Sequence, residues 1–97
     1  MQQMLAQAQK MQRELQKAQN ELKAKEFTVS KGGAVTVVVL GDHTVKSIDI
    51  DKDALAPENK EMIEEMIALA INEAVDQIEK ESEEINERIT GRQGGLL

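Results

Sequence analysis

Ninety-seven residues with a formal net charge of −6, a single aromatic (Phe27) and no cysteine fit one small domain, residues 1–97, whose core must come from Ile, Val, Leu, Met and Ala. The missing cysteines exclude a disulfide framework and thiolate chemistry, and no apolar run approaches the roughly 18 residues needed to span a bilayer. The Gln-rich start lacks the apolar stretch of a secretory signal, so a cytoplasmic protein with no membrane contact is expected.

Residues 1–25 predict a first helix. Met1, Met4, Ala8, Met11, Leu15, Ala18 and Leu22 recur at steps of three and four, the narrow seam of a coiled-coil-like contact. Such a helix reaches about 35–40 Å, longer than a small sheet can cover, so part of it should project. Its charge is mildly basic: residues 1–26 carry five basic and three acidic side chains. Lys10, Arg13 and Lys17 fall within about 60° of one another, roughly opposite the seam. This stripe has two readings. It is a phosphate-contacting surface, with Gln9, Gln16 and Asn20 adding polar contacts. Or it is a solvated face laced by the i,i+4 pairs Lys10–Glu14, Lys17–Glu21 and Glu21–Lys25, which the residues alone favour.

Residues 27–50 predict three strands. Phe27–Val29 alternates and ends at the glycine turn of Lys31-Gly32-Gly33; Ala34–Leu40 follows, apolar on both faces; Gly41-Asp42 turns the chain into Val45–Ile50. On the third strand Ile48 and Ile50 should share a face with Lys46, with Val45, Ser47 and Asp49 opposite. The simplest arrangement is an antiparallel meander.

Residues 57–90 predict a long second helix with Pro57 at its first position and Gly91 at its stop, leaving residues 91–97 as a flexible tail. From Met62 to Val75 this helix is apolar around most of its circumference, so it must be buried on more than one side. One small sheet covers only one side. The expected fold is therefore α+β, an α-β-β-β-α subunit of two layers, paired into a homodimer with sheets outside, helices between and helical arms projecting. The expected dimer interface is Met66, Ile67, Ile71, Val75 and Ile78.

Catalytic signals are poor. His43 has no second histidine or cysteine with which to build a metal site, and reads as an exposed turn residue. Ser30, Ser47 and Ser82 have no base at a recognisable spacing. Residues 51–90 carry thirteen acids against four basic groups; charge runs of this kind are usually solvated faces. Neither an enzyme nor a cofactor or small-molecule substrate is expected.

The order Gln7-Ala8-Gln9-Lys10-Met11-Gln12, Gly32-Gly33-Ala34-Val35-Thr36-Val37, Gly41-Asp42, Val45-Lys46-Ser47-Ile48-Asp49-Ile50-Asp51 and Ala70-Ile71-Asn72-Glu73-Ala74 resembles the YbaB/EbfC family of bacterial nucleoid-associated proteins. The resemblance spans essentially the whole chain. It implies a tight homodimer with tweezer-like helical arms that binds duplex DNA in the cytoplasm, at the nucleoid, in chromosome organisation and gene regulation. It places the DNA contacts on the arms, here at Lys10, Arg13 and Lys17, and also at Lys23, Lys25, Arg88 and Arg92. With no reader of base edges beyond Gln and Asn, low sequence specificity is expected. The alternative is a protein-interaction module that uses the acidic and Met-rich helical seams.

Overall fold

Residues 2–24 contain no Gly, Pro or β-branched residue, so nothing in that stretch opposes the helical conformation. In the protein's structure, a computed structural model describing residues 2–94 (side chains 2–90), helix α1 runs Gln2–Ala24. Strands β1, β2 and β3 run Glu26–Lys31, Val35–Leu40 and Val45–Ile50, and helix α2 runs Lys60–Gly94. The strands form one antiparallel meander in the order β1-β2-β3. The α-β-β-β-α order and the three-stranded sheet expected from the sequence are those observed.

The β1–β2 turn closes with the Ala34 N–H donating to the Lys31 carbonyl at 3.1 Å, with Gly32 and Gly33 both at positive φ, 59° and 66°. That is the signature of a type I′ turn, which glycine adopts without a Cβ penalty. The next turn needs glycine for space instead: a Cβ on Gly41 would lie 1.7 Å from the Leu22 carbonyl oxygen. The Gly41 N–H donates to the Lys25 carbonyl at 2.9 Å, so this turn is locked against the end of α1.

One face of the sheet is the core. Phe27, Val29, Val35, Val37 and Val39 meet Ile63, Ala70, Ala74 and Ile78 of α2, with Leu22 at the α1 end. The alanines let helix and sheet approach closely. Helix α2 lies over β1 and β2, leaving β3 largely uncovered. A register shift between Val38 and Val39 corrects the expected alternation on β3. Val45 pairs with Val39 and so turns to the core face beside Ile48 and Ile50, while Lys46 reaches Glu26 at 3.3 Å on the outer face. The extra residue of a β-bulge reverses the side-chain order beyond it.

Both ends of the long helix also differ from expectation. Pro57–Asn59 forms a 3₁₀ turn, with the Asn59 N–H bonded to the Ala56 carbonyl, and the α-helix begins at Lys60. At the other end α2 continues through Gly91 to Gly94; one glycine weakens a helix by about 1 kcal/mol, too little to end it. The rest of the expected tail, residues 95–97, lies outside the described residues.

A helix of 35 residues extends about 52 Å, against about 20 Å for a six-residue strand. The C-terminal half of α2 therefore leaves the sheet and runs antiparallel to α1 as an arm. The molecule measures 68 × 24 × 14 Å, and its radius of gyration is 19.1 Å, against about 12.5 Å for a compact chain of this length.

Candidate nucleic-acid interface

The arm is zipped from its base outward. Where α1 meets the sheet, Lys25 pairs with Glu81 and sits over the Phe27 ring. One to two turns further out, the Gln19 amide donates to Asn86 at 3.3 Å and accepts from the Ser82 hydroxyl at 3.4 Å. Leu22 and Ile85 are buried between the helices, and Leu15, Ala18 and Ile89 pack against them. Cover fades toward the tip, where Met4 is 75% exposed. The seam read from the spacing is thus a contact within the chain from Met11 to Leu22.

Opposite the seam, Lys10, Arg13 and Lys17 are all exposed. Among the described residues none of the three makes an ion pair; the one i,i+4 pair formed is Lys60–Glu64 on α2. The pairs Lys10–Glu14, Lys17–Glu21 and Glu21–Lys25, expected of a merely solvated face, are not made. Three adjacent cations that form no ion pair, with Glu14 and Glu21 to one side of them, on a limb projecting from the body, make a surface suited to phosphates.

The other basic residues are placed differently. Lys23 is exposed near the base of α1. Lys25 has its charge met by Glu81. Arg88 is exposed on α2 and lines a groove with Glu21, Glu81 and Glu84, so carboxylates surround it. Arg92 falls in the last turn of α2. Among the described residues, the α1 stripe is the group that combines proximity, exposure and the absence of an ion pair.

Three residues that organise this site carried no sequence signal for it. Glu81 anchors Lys25 across 56 positions, and Gly41 admits the α1 terminus. His43, at φ 71°, meets Glu79 of α2 with 2.9 Å between Nε2 and Oε1, joining the β2–β3 turn to the arm. A turn glycine followed by Asp and His hinted at tight geometry, but sequence spacing could not supply the partners. At the same turn, hydrogen bonds from the Thr44 hydroxyl and backbone N–H hold the Asp42 carboxyl below the ordinary carboxylate range, the backbone bond being 2.9 Å.

The long apolar stretch of α2 is only partly satisfied by this chain. Met62 is 41% and Leu69 59% exposed, and Met66, Ile67, Ile71 and Val75 are half-buried. Ile78 is the exception in the expected interface set: it is 1% exposed. It packs in its own subunit's core beneath the α1 terminus, so it has no surface to offer a second copy. Glu73, paired with Lys31 of β1, and Met66, against Gly32, mark the β1 flank of α2. Ile67, Ile71 and Val75 lie further round the helix, toward β3, where Val45 and Ile48 are also exposed, Ile48 by 45%. Helix flank and strand together make an uncovered apolar trough.

Comparison with known proteins fits this picture. A model of the YbaB/EbfC DNA-binding family matches residues 1–93. A nucleoid-associated protein of Mycoplasmopsis pulmonis is 42% identical over 86 residues, covering 89% of this chain and 85% of that protein. One from Clostridium novyi is 40% identical over 89 residues, covering 91% and 78%. The crystal structure of the uncharacterized protein HP0035 from Helicobacter pylori superposes with a TM-score of 0.72 at 22% identity, covering 91% of this chain and 94% of that one. That likeness establishes the shared fold. Among the described residues no helix is long and apolar enough to cross a membrane.

Proposed function

The chain belongs to the YbaB/EbfC DNA-binding family, and from that premise we propose that it is a homodimeric nucleoid-associated protein of the cytoplasm that grips duplex DNA between two helical arms, largely regardless of sequence. The observation that carries this reading is the stripe of Lys10, Arg13 and Lys17, exposed and without ion-pair partners among the described residues. Each cation that neutralises a phosphate releases condensed counterions, so affinity comes from an entropic, salt-sensitive term. Two arms would present six such cations. Lys23, near the base of α1, and Arg88, among the carboxylates Glu21, Glu81 and Glu84, lie apart from the stripe and are secondary to it. Binding along the chromosome in this way suits a role in its organisation and in gene regulation.

What supports the dimer is the uncovered trough between α2 and β3. A second copy of α2 laid there would bury Ile67, Ile71 and Val75 of both chains, put the sheets outside and aim both arms the same way. Covering side chains that are already half-buried contributes about 1 kcal/mol each, roughly half the value for full burial.

The test is a DNA titration at several salt concentrations. Six phosphate contacts give a slope of log K against log salt of about −5. Changing Lys10, Arg13 and Lys17 to Glu should flatten that slope and abolish binding at moderate salt. Undiminished binding by the triple variant would move the interface elsewhere. No DNA affinity even at low salt, with a single stoichiometric protein partner recovered instead, would favour an interaction module.

A further inference from the structure

The basic stripe uses only part of the exposed surface of α1. Beside it, Gln9, Arg13, Gln16 and Asn20 recur at steps of four, three and four, which aligns them as one ridge along the helix. All four are exposed, and among the described residues the three amides make no side-chain hydrogen bond, unlike Gln19 one face further round. The two carboxylates of α1, Glu14 and Glu21, lie about 120° from this ridge, beyond the line of Lys10 and Lys17. Helix α2 solvates its outer face quite differently, with Glu79, Glu83 and Glu87. Apart from Arg13, whose charge belongs to the stripe, this ridge is polar, uncharged, unpartnered and clear of acids, which is not what solubility alone asks of a helix.

An amide presents a donor and an acceptor side by side, which matches the N6 and N7 groups that adenine shows in the major groove. The dimensions agree. The ridge spans eleven residue steps, about 16 Å, close to five base-pair steps at about 3.4 Å each. A helix with its side chains is about 10–12 Å across and the major groove about 12 Å wide. Because α2 packs on the opposite side of α1, through Leu15, Ala18 and Leu22, the ridge can enter the groove without α2 following. Lys10 and Lys17 then fall at the groove's lip, where the phosphates are.

We infer that Gln9, Gln16 and Asn20 form a base-reading ridge, set into the major groove by the neighbouring cations, that favours adenine-containing sequence over G·C sequence. This rests on the duplex-binding reading above and adds to it a selectivity carried by side chains distinct from those that supply affinity. Phosphate contacts position; the amides discriminate.

The experiment uses the full chain and its Gln9→Ala/Gln16→Ala/Asn20→Ala variant, which should fold because alanine is the stronger helix former; circular dichroism checks that. Three duplexes of equal length serve as probes: one A·T-rich, one G·C-rich, and the A·T-rich duplex with 7-deazaadenine, which lacks N7, in place of adenine. The wild-type chain should prefer the A·T-rich duplex by about tenfold or more, the scale of one or two bidentate contacts. It should lose that preference on the 7-deaza duplex. The variant should bind all three alike, with the wild-type salt slope. Equal wild-type binding to all three overturns the ridge while leaving duplex binding intact. A preference that survives in the variant, or on the 7-deaza duplex, assigns selectivity to DNA shape or other residues and also overturns it. No wild-type binding to any duplex at low salt overturns both readings together.

Discussion

At Gly41 one hydrogen atom in place of a methyl decides whether two segments can touch. A Cβ there would penetrate the Leu22 backbone carbonyl, with Lys23 Cα at 3.2 Å behind it, and backbone cannot rotate aside as a long side chain could. Gly41→Ala should therefore cost about 3 kcal/mol, at the upper end of overpacking effects. Urea unfolding at fixed protein concentration reads that cost; an unchanged midpoint would mean that the turn and the helix end do not meet. The adjacent residue gives a pH signature. Thr44's hydroxyl and N–H favour the ionised Asp42, so its folded carboxyl titrates below its unfolded value. The stabilisation is then present above the ordinary carboxylate range and is lost as pH falls through the lowered folded value. The Thr44 amide proton should shift in NMR along that same acid titration, with a midpoint below the usual aspartate value of about 3.9. A midpoint at or above it would mean the bond to Asp42 is not held.

The arm is where an element's stability becomes a functional quantity. Its two helices share a seam of few residues, so the projecting part of α1 is held mainly by Ile85 and its neighbours. Ile85→Ala removes a nearly buried side chain and should cost about 2–4 kcal/mol. The loss should be local: amide exchange should speed up between Met11 and Leu22 while the strands keep their protection, and the basic stripe should lose its fixed direction with it. Unchanged exchange along α1 would show that other contacts hold the arm. Much at this scale was legible in the sequence. The steps of three and four along α1 gave its contacting line from Met11 to Leu22, and Gly32-Gly33 and Gly41-Asp42 punctuated the strands, because periodicity and turn chemistry are local. What escaped was non-local or depended on one residue more or less. The bulge at Lys46 turns Val45 inward; the two successive polar residues Lys46 and Ser47 mark the break, which a strict alternation counted from Ile50 passes over. Lys25 finds Glu81 rather than Glu21 because the helix ends before an i,i+4 pair can form. Ile78 fits the pattern of an outer seam, yet the α1 terminus covers it, and no spacing rule knows where another helix will lie. On the candidate site, spacing gave the angular position of Lys10, Arg13 and Lys17, while the missing ion pairs were visible only in three dimensions.

For the whole molecule, the apolar trough and the arms are one proposition, because under the proposed function pairing at the trough would turn two single stripes into a two-armed grip. Ile71 sits on the flank of α2 that the trough exposes and is half-buried in its own chain. A lysine in its place can lay its methylenes along that flank and keep its ammonium in water when the chain is alone. In the dimer the same ammonium would meet the partner's apolar helix with no counter-charge, a burial that costs several kcal/mol. Ile71→Lys should thus fold but sediment near 10.8 kDa, where the wild type should run at twice that mass. Its DNA binding should change in two ways at once. The salt slope should fall from about −5 to nearly −3, because three phosphates are met instead of six. Affinity should drop by about a hundredfold or more, the usual scale when a second, tethered contact is lost. The two readouts check each other: a monomer that kept the steep slope would mean that one arm meets all the phosphates, and a variant that stayed dimeric would move the interface off this flank. The joint loss of partner and slope is the outcome expected if α2 provides both the subunit contact and the base from which each arm projects.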